Sequence, residues 1–195
     1  VPELRIVVFG TPGPQGSKRH VGGGRMVESS AKVAPWRTDV KTAAEQLVTC
    51  QCFEQCGTLN DGYPLTGPLV VRMVFSFVRP KSHYRTGRNA HLLRDGAPAR
   101  PGGKPDLSKL LRSTEDALTA LVWKDDALVV DYERAAKVWV GEDAEALDVP
   151  GALIVIRPLV DVALDPVLRL GLPLDPIAAS LARGASIADH TGGIA

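Results

Sequence analysis

Apolar residues recur along this chain at two spacings, and those spacings predict most of its elements. Leu4 to Phe9 is an apolar, β-branched run that stops at Gly10, the mark of a strand. Pro68 to Val78 alternates, with Leu69, Val71, Met73, Phe75 and Phe77 on one face, and predicts a central strand. Ala127 to Val130 begins a strand that continues, bent, through Lys137 to Val140, and Gly151 to Pro158 supplies another. Steps of three and four replace the alternation twice. Pro35 and Trp36 open a helix through about Val48, whose buried stripe is Val40, Ala43, Ala44, Leu47 and Val48. A second helix runs from Asp106 to about Val122 on the apolar face of Leu107, Leu110, Leu111, Thr114, Leu118 and Leu121. Asp106 falls at its cap or in its first turn, and Trp123 to Asp126 is a turn.

The order β-α-β-loop-α-β-β predicts an α/β (α+β) fold, a single domain with one mixed sheet and two main helices. That domain ends near Leu159. Residues 160–195 differ in kind, being rich in Leu, Ala, Pro and Gly. They read as a C-terminal extension, either a short helix near Pro176 to Arg183 or a disordered tail.

Two connections stand apart. GTPGPQGSKRHVGGGRM is a loop by composition, and its triple glycine suits a hairpin tip or a flexible flap. It lacks the order of a P-loop, but its Lys18 and Arg19 can hold a phosphodiester. Arg79 to Pro105 has no periodicity and is dominated by Gly, Pro, Arg and His. So long a loop is functional or disordered, and here it is expected to be mobile when free and ordered on a polyanion.

Composition changes this picture only through its distribution. The chain has 195 residues, 45% of them hydrophobic, enough for one core and an extension. The formal net charge of +1 hides a basic strip beside an acidic cluster. Arg79, Lys81, Arg85, Arg88, Arg94, Arg100, Lys104, Lys109 and Arg112 lie within one stretch, and acidic residues crowd Glu115 to Asp148. Solvated surface charge explains such runs, and so does an enzyme acting on a polyanion. Cys50, Cys52 and Cys56 match neither a disulfide framework nor a zinc knuckle. No stretch is apolar enough to cross a membrane and no leader is evident, so a cytoplasmic protein is expected.

Lys104 to Asp131 carries the densest chemistry: KPDLSKLLRSTEDALTALVWKDDALVVD. If tertiary folding brings Asp106 to Asp125 or Asp126, two or three hard oxygens can hold Mg²⁺, and Arg112 can offset phosphate charge. The alternative is structural: a capping aspartate, a turn with a DD pair and an Arg112–Asp116 ion pair.

The string KPD…DAL…VWKDD resembles the RusA family of Holliday junction resolvases, phage-type endodeoxyribonucleases, and GTPGPQGSKRHV with its following PW helix resembles the phage and prophage branch. The resemblance covers about Leu4 to Leu159. It implies a homodimer, phage-encoded or bacterial, that binds four-way or branched DNA in recombination or repair and cuts it with Mg²⁺, Mn²⁺ substituting. It places Asp106, Asp126 and Arg112 in catalysis and Asp106, Asp126 and Asp125 on metal. Lys18, Arg19, Arg85, Arg88, Lys104 and Lys109 become DNA contacts.

Three positions depart from the family pattern. Ser108 stands where a second aspartate is usual, Lys109 where an asparagine is usual, and Arg112 where a lysine is usual. Three explanations remain for Ser108. A carboxylate comes from elsewhere, with Glu115 lying about 10 Å further along the helix. Alternatively two aspartates bind metal through water, or the protein binds branched DNA without cutting it.

Overall fold

The computed structural model describes residues 3–16, 18–20, 26–28, 30–49 and 60–159, the two three-residue pieces by backbone alone. All belong to the unit Val1–Leu159. The three cysteines and the tail from 160 onward lie outside the described residues.

Four strands form the main sheet: β1 (Leu4–Phe9), β4 (Leu69–Phe77), β5 (Val129–Trp139) and β6 (Gly151–Pro158), in the order β1-β6-β4-β5. β4 runs antiparallel to β6 and parallel to β5, so the sheet is mixed and β4 is interior, as its pattern predicts. The parallel β4–β5 pair needs a crossover, and helix α2 (Leu107–Leu118) lies within it. β4 is buried on both faces, not one. Leu69, Val71, Met73 and Phe75 join the core with the helices, while Val70, Val74 and Ser76 are also buried. Residues 142–147 return over that second face. The Leu147 amide donates to Ser76 Oγ at 2.9 Å, and Glu145 pairs with Arg72 and Arg134.

Helix α1 (Val33–Val48) begins two residues before the position expected from Pro35. A proline within the first turn loses no intrahelical bond, because those amides have no partner in the helix. Its buried stripe is Val33, Trp36, Val40, Ala44 and Val48, whereas Leu47 is 45% exposed. The four-residue step keeps the stripe narrow and leaves Leu47 at its edge. α2 packs on α1, fixed by a buried bond from Trp36 Nε1 to Thr114 Oγ1 at 3.1 Å.

α2 stops at Leu118, short of the expected Val122. Residues 122–124 pair with Leu65 instead: Leu65 N donates to Val122 O at 2.8 Å and Lys124 N to Leu65 O at 2.9 Å. Ala120, at φ 65, makes the turn that this pairing requires.

The first loop contains a short antiparallel pair, β2 (Lys18–His20) with β3 (Met26–Glu28); the triple glycine lies outside the described residues. The second is knitted by its own arginines. Arg85 N donates to Leu92 O and Arg94 N to His83 O, both at 2.9 Å, and Arg94 Nε reaches Tyr84 O at 2.6 Å. Arg79 anchors the loop from within. Its side chain is 4% exposed, ion-pairs with Glu142, donates to Pro98 O at 2.9 Å, and lies 4.8 Å from the Trp139 ring centroid. These contacts give the loop a defined backbone path.

Candidate functional site

The start of α2 is set by three hydrogen bonds from two parts of the fold. Lys137 on β5 donates to Gly103 O at 2.6 Å and to Pro105 O at 2.8 Å, tying the loop end to the sheet. Gln15 N donates to Lys109 O at 2.9 Å, laying the 12–16 segment along the first turn. That segment passes so close to α1 that a Cβ on Gly13 would fall 2.1 Å from Lys32 O, so only glycine fits.

Asp106 occupies the N-cap position, as the helical pattern expects, but its side chain makes no capping bond. It faces Lys109 Nζ at 3.2 Å, and both side chains are about half exposed. A carboxylate at a helix N-terminus that does not cap remains available to a ligand. It opens onto a cavity of about 580 Å³ whose wall also holds Thr11, Gln15, Lys32, Lys104 and Lys109. Asp106 is thus set among three lysines. Of these, Lys32 escaped the sequence reading, because nothing local ties it to α2.

A neighbouring cavity of about 500 Å³ follows α2 onward. Ser108, Lys109, Arg112, Glu115 and, from β5, Tyr132 line it. Ser108 and Glu115 therefore share one hollow with Arg112, and Asp106 lies in the other. Arg112 is exposed and does not pair with Asp116. Asp116 is taken by an ion pair with Arg37 and accepts from Gln15 Nε2 at 3.2 Å. The expected Arg112–Asp116 pair is corrected accordingly: the guanidinium of Arg37 on α1 competes for the carboxylate and leaves Arg112 open to other anions.

The DD pair divides its work. Asp125 caps the single 3-10 turn Asp126–Leu128, accepting from Ala127 N at 2.9 Å. That backbone bond, then a bond with Asp126 and the charge of Lys124, holds its carboxyl below the usual range. Asp126 is exposed, and its negative charge is felt by Glu115. Burial raises the Glu115 carboxyl, and Asp126 and Asp116 raise it further against the opposing charge of Arg112. Asp126 is thus coupled electrostatically to the Glu115 hollow.

The expected DNA contacts are dispersed. Arg85 is engaged with Asp95 at 2.8 Å and with Leu93 O at 3.2 Å. Arg88, Lys104 and Lys109 are exposed, and only Lys109 has an ion-pair partner. Lys18 and Arg19 sit on β2, and their side chains lie outside the described ones.

The sequence was compared with known proteins. The family model described as Endodeoxyribonuclease RusA matches residues 10–147. The chain belongs to the RusA family. No curated protein matches it. RusA membership implies endonuclease activity on Holliday junctions, and the family's resolvases are generally dependent on a divalent metal. The matched RusA segment contains the β2–β3 pair, both helices, both cavities and the DD turn.

Asp106, Asp125 and Asp126 are exposed carboxylates, hard-oxygen groups of the chemical kind such a metal takes. They are not a finished cage: among the described residues no three acidic, His or Cys side chains gather as a metal group. Mg²⁺ suits this openness, because it is commonly held by one or two carboxylates, substrate phosphate and waters.

Proposed function

We propose that this protein is an Mg²⁺-dependent endonuclease, with Mn²⁺ as substitute, that cleaves Holliday junctions and other branched DNA as a homodimer in recombination or repair. The observation that carries the reading is the uncapped Asp106 among Lys32, Lys104 and Lys109, inside the segment matched to RusA. Residues 1–159 form its nuclease domain and 160–195 an extension, in a cytoplasmic protein of bacterial or phage origin.

Asp106 and Asp126 would hold the metal, with Asp125 beside them. A bound divalent ion supplies an activated water and steadies the leaving oxygen. The lysines of the first cavity neutralise the incoming phosphodiester and set its position beside Asp106. Arg112 offers a planar fork to a phosphate oxygen and stabilises its charge. Lys18, Arg19, Arg85 and Arg88 hold the flanking backbone, Arg85 by exchanging Asp95 for phosphate.

The second reading is a RusA-type protein that binds branched DNA without cutting it. Ser108 in place of a carboxylate and the open arrangement of acids favour it. Cleavage of a synthetic four-way junction in Mg²⁺ or Mn²⁺ separates the two. We expect cleavage by the wild type and about a hundredfold less by Asp126→Asn. Tight binding without cleavage by the wild type would establish the second reading.

A further inference from the structure

We propose that the pocket between the Phe77 end of β4 and the 98–105 loop receives one unstacked nucleobase of the bound DNA, an inference that rests on the DNA-directed function proposed above. The cavity measures about 540 Å³ and is walled by Phe77, His83, Trp139 and four prolines. Each proline ring fixes its φ, so the rim is stiff. Trp139 is held as well: its Nε1 donates to Pro98 O at 3.0 Å and Arg79 covers its ring. The His83 ring meets that indole edge-on at 5.4 Å and is only partly buried, so it offers a stacking surface on a fixed support. Aromatic and apolar walls of this kind accept a base through its π-face without regard to its pairing edge.

Charge determines which flat guest fits. Phe77, Lys104 and Pro105 line both this pocket and the cavity of Asp106, so the two adjoin. Lys137 is tied to Gly103 O and Pro105 O, while Lys104 is exposed at the shared wall. A matching occupant has a flat body for the aromatic pocket and an anionic end for Lys104. An apolar peptide side chain would leave the lysine unanswered, and free phosphate would leave the apolar walls wet. A nucleotide satisfies both. The pocket would thereby fix which phosphodiester stands beside Asp106.

The test is a scan of four-way junctions, each lacking one base near the branch point, with Kd measured by fluorescence anisotropy in EDTA. The pocket variant is Gly102→Leu. Gly102 lines the cavity, an added Cβ there meets nothing within 4 Å, and its φ lies outside the left-handed region, so the variant is expected to fold, which its melting curve checks. We expect one abasic position to weaken wild-type binding about tenfold, near the low end of base–aromatic stacking. Gly102→Leu should weaken the intact junction about as much and lose its response at that position, and His83→Ala should do the same to a smaller degree. A flat scan with tight wild-type binding, or a Gly102→Leu protein that keeps the wild-type response, overturns the nucleobase pocket alone. Absence of wild-type junction binding overturns the proposed function and the pocket with it.

Discussion

Two corners of this molecule each set a cation against a carboxylate and put the pair to opposite uses. Around Arg79, a guanidinium, a carboxylate and a tryptophan close on one another. The arginine is 4% exposed, and its donors are answered by Glu142 and Pro98 O. At the start of α2, Asp106 and Lys109 face each other at 3.2 Å with half of each side chain in water. In the first set the guanidinium is spent on Glu142 and Pro98 O and serves the fold. The second has a carboxylate excused from capping, surplus lysines and an open cavity. A basic strip in a sequence therefore contains two populations. Arg79, which anchors the loop from within, is spent, and Lys104 at the loop's exit remains exposed.

The largest stability effect should come from opening the closed corner. Arg79→Ala leaves Glu142 without its partner and Trp139 uncovered, and should cost about 3 kcal/mol in urea unfolding. A loss below about 1 kcal/mol would show that the cluster does not serve the fold as described. Next comes the wedge between the helices. Gly13→Ala forces a Cβ against Lys32 O and should cost about 1–3 kcal/mol, with junction cleavage lowered because Gln15 no longer seats on Lys109.

Acid should affect the fold side first. Arg134 foremost, then the Glu145 amide and Arg100, holds the Asp143 carboxyl far below its ordinary value of 3.8. Arg79 depresses Glu142 from 4.5. Carboxyls depressed by folding add stability that is present above their unfolded values and is lost as pH falls through those values toward the folded ones. Stability to chemical denaturant should therefore fall below about pH 4.5, and Asp143→Asn should flatten part of that loss by about 1–2 kcal/mol. Glu115 has the opposite sign: its raised carboxyl is relieved, not penalised, by protonation. The smallest effect belongs to the open corner. Arg112→Ala should reduce the slope of log K against log salt by about 1 while leaving the melting curve near that of the wild type.

Much of the fold was legible because strand and helix periods differ. Alternation marked β4 and the three- and four-residue steps marked α2 without help from distant contacts. What the pattern missed was decided by distant contacts. Leu65 ends α2 by pairing with Val122 and Lys124, and nothing near Leu118 in sequence signals it. The return of residues 142–147 buries the second face of β4, so its polar-looking Ser76 is interior. The site was readable as residue types and not as geometry. Asp106 at a helix start followed from spacing, while Lys32 and Gln15 reach it only through the packing of the N-terminal segment. One signal was available for Lys137: a single lysine in the otherwise apolar AAKVWV of a strand needs polar partners, and the carbonyls of Gly103 and Pro105 supply them.

The contrast between a spent corner and an available one is tested most directly at Asp106. Because its side chain makes no capping bond, Asp106→Asn should change stability by less than about 0.5 kcal/mol. Cleavage of a synthetic four-way junction in Mg²⁺, measured beside binding of the same junction, should show wild-type affinity within a few fold and about a hundredfold slower cutting. An Asp106→Asn protein that cuts at the wild-type rate would contradict the account.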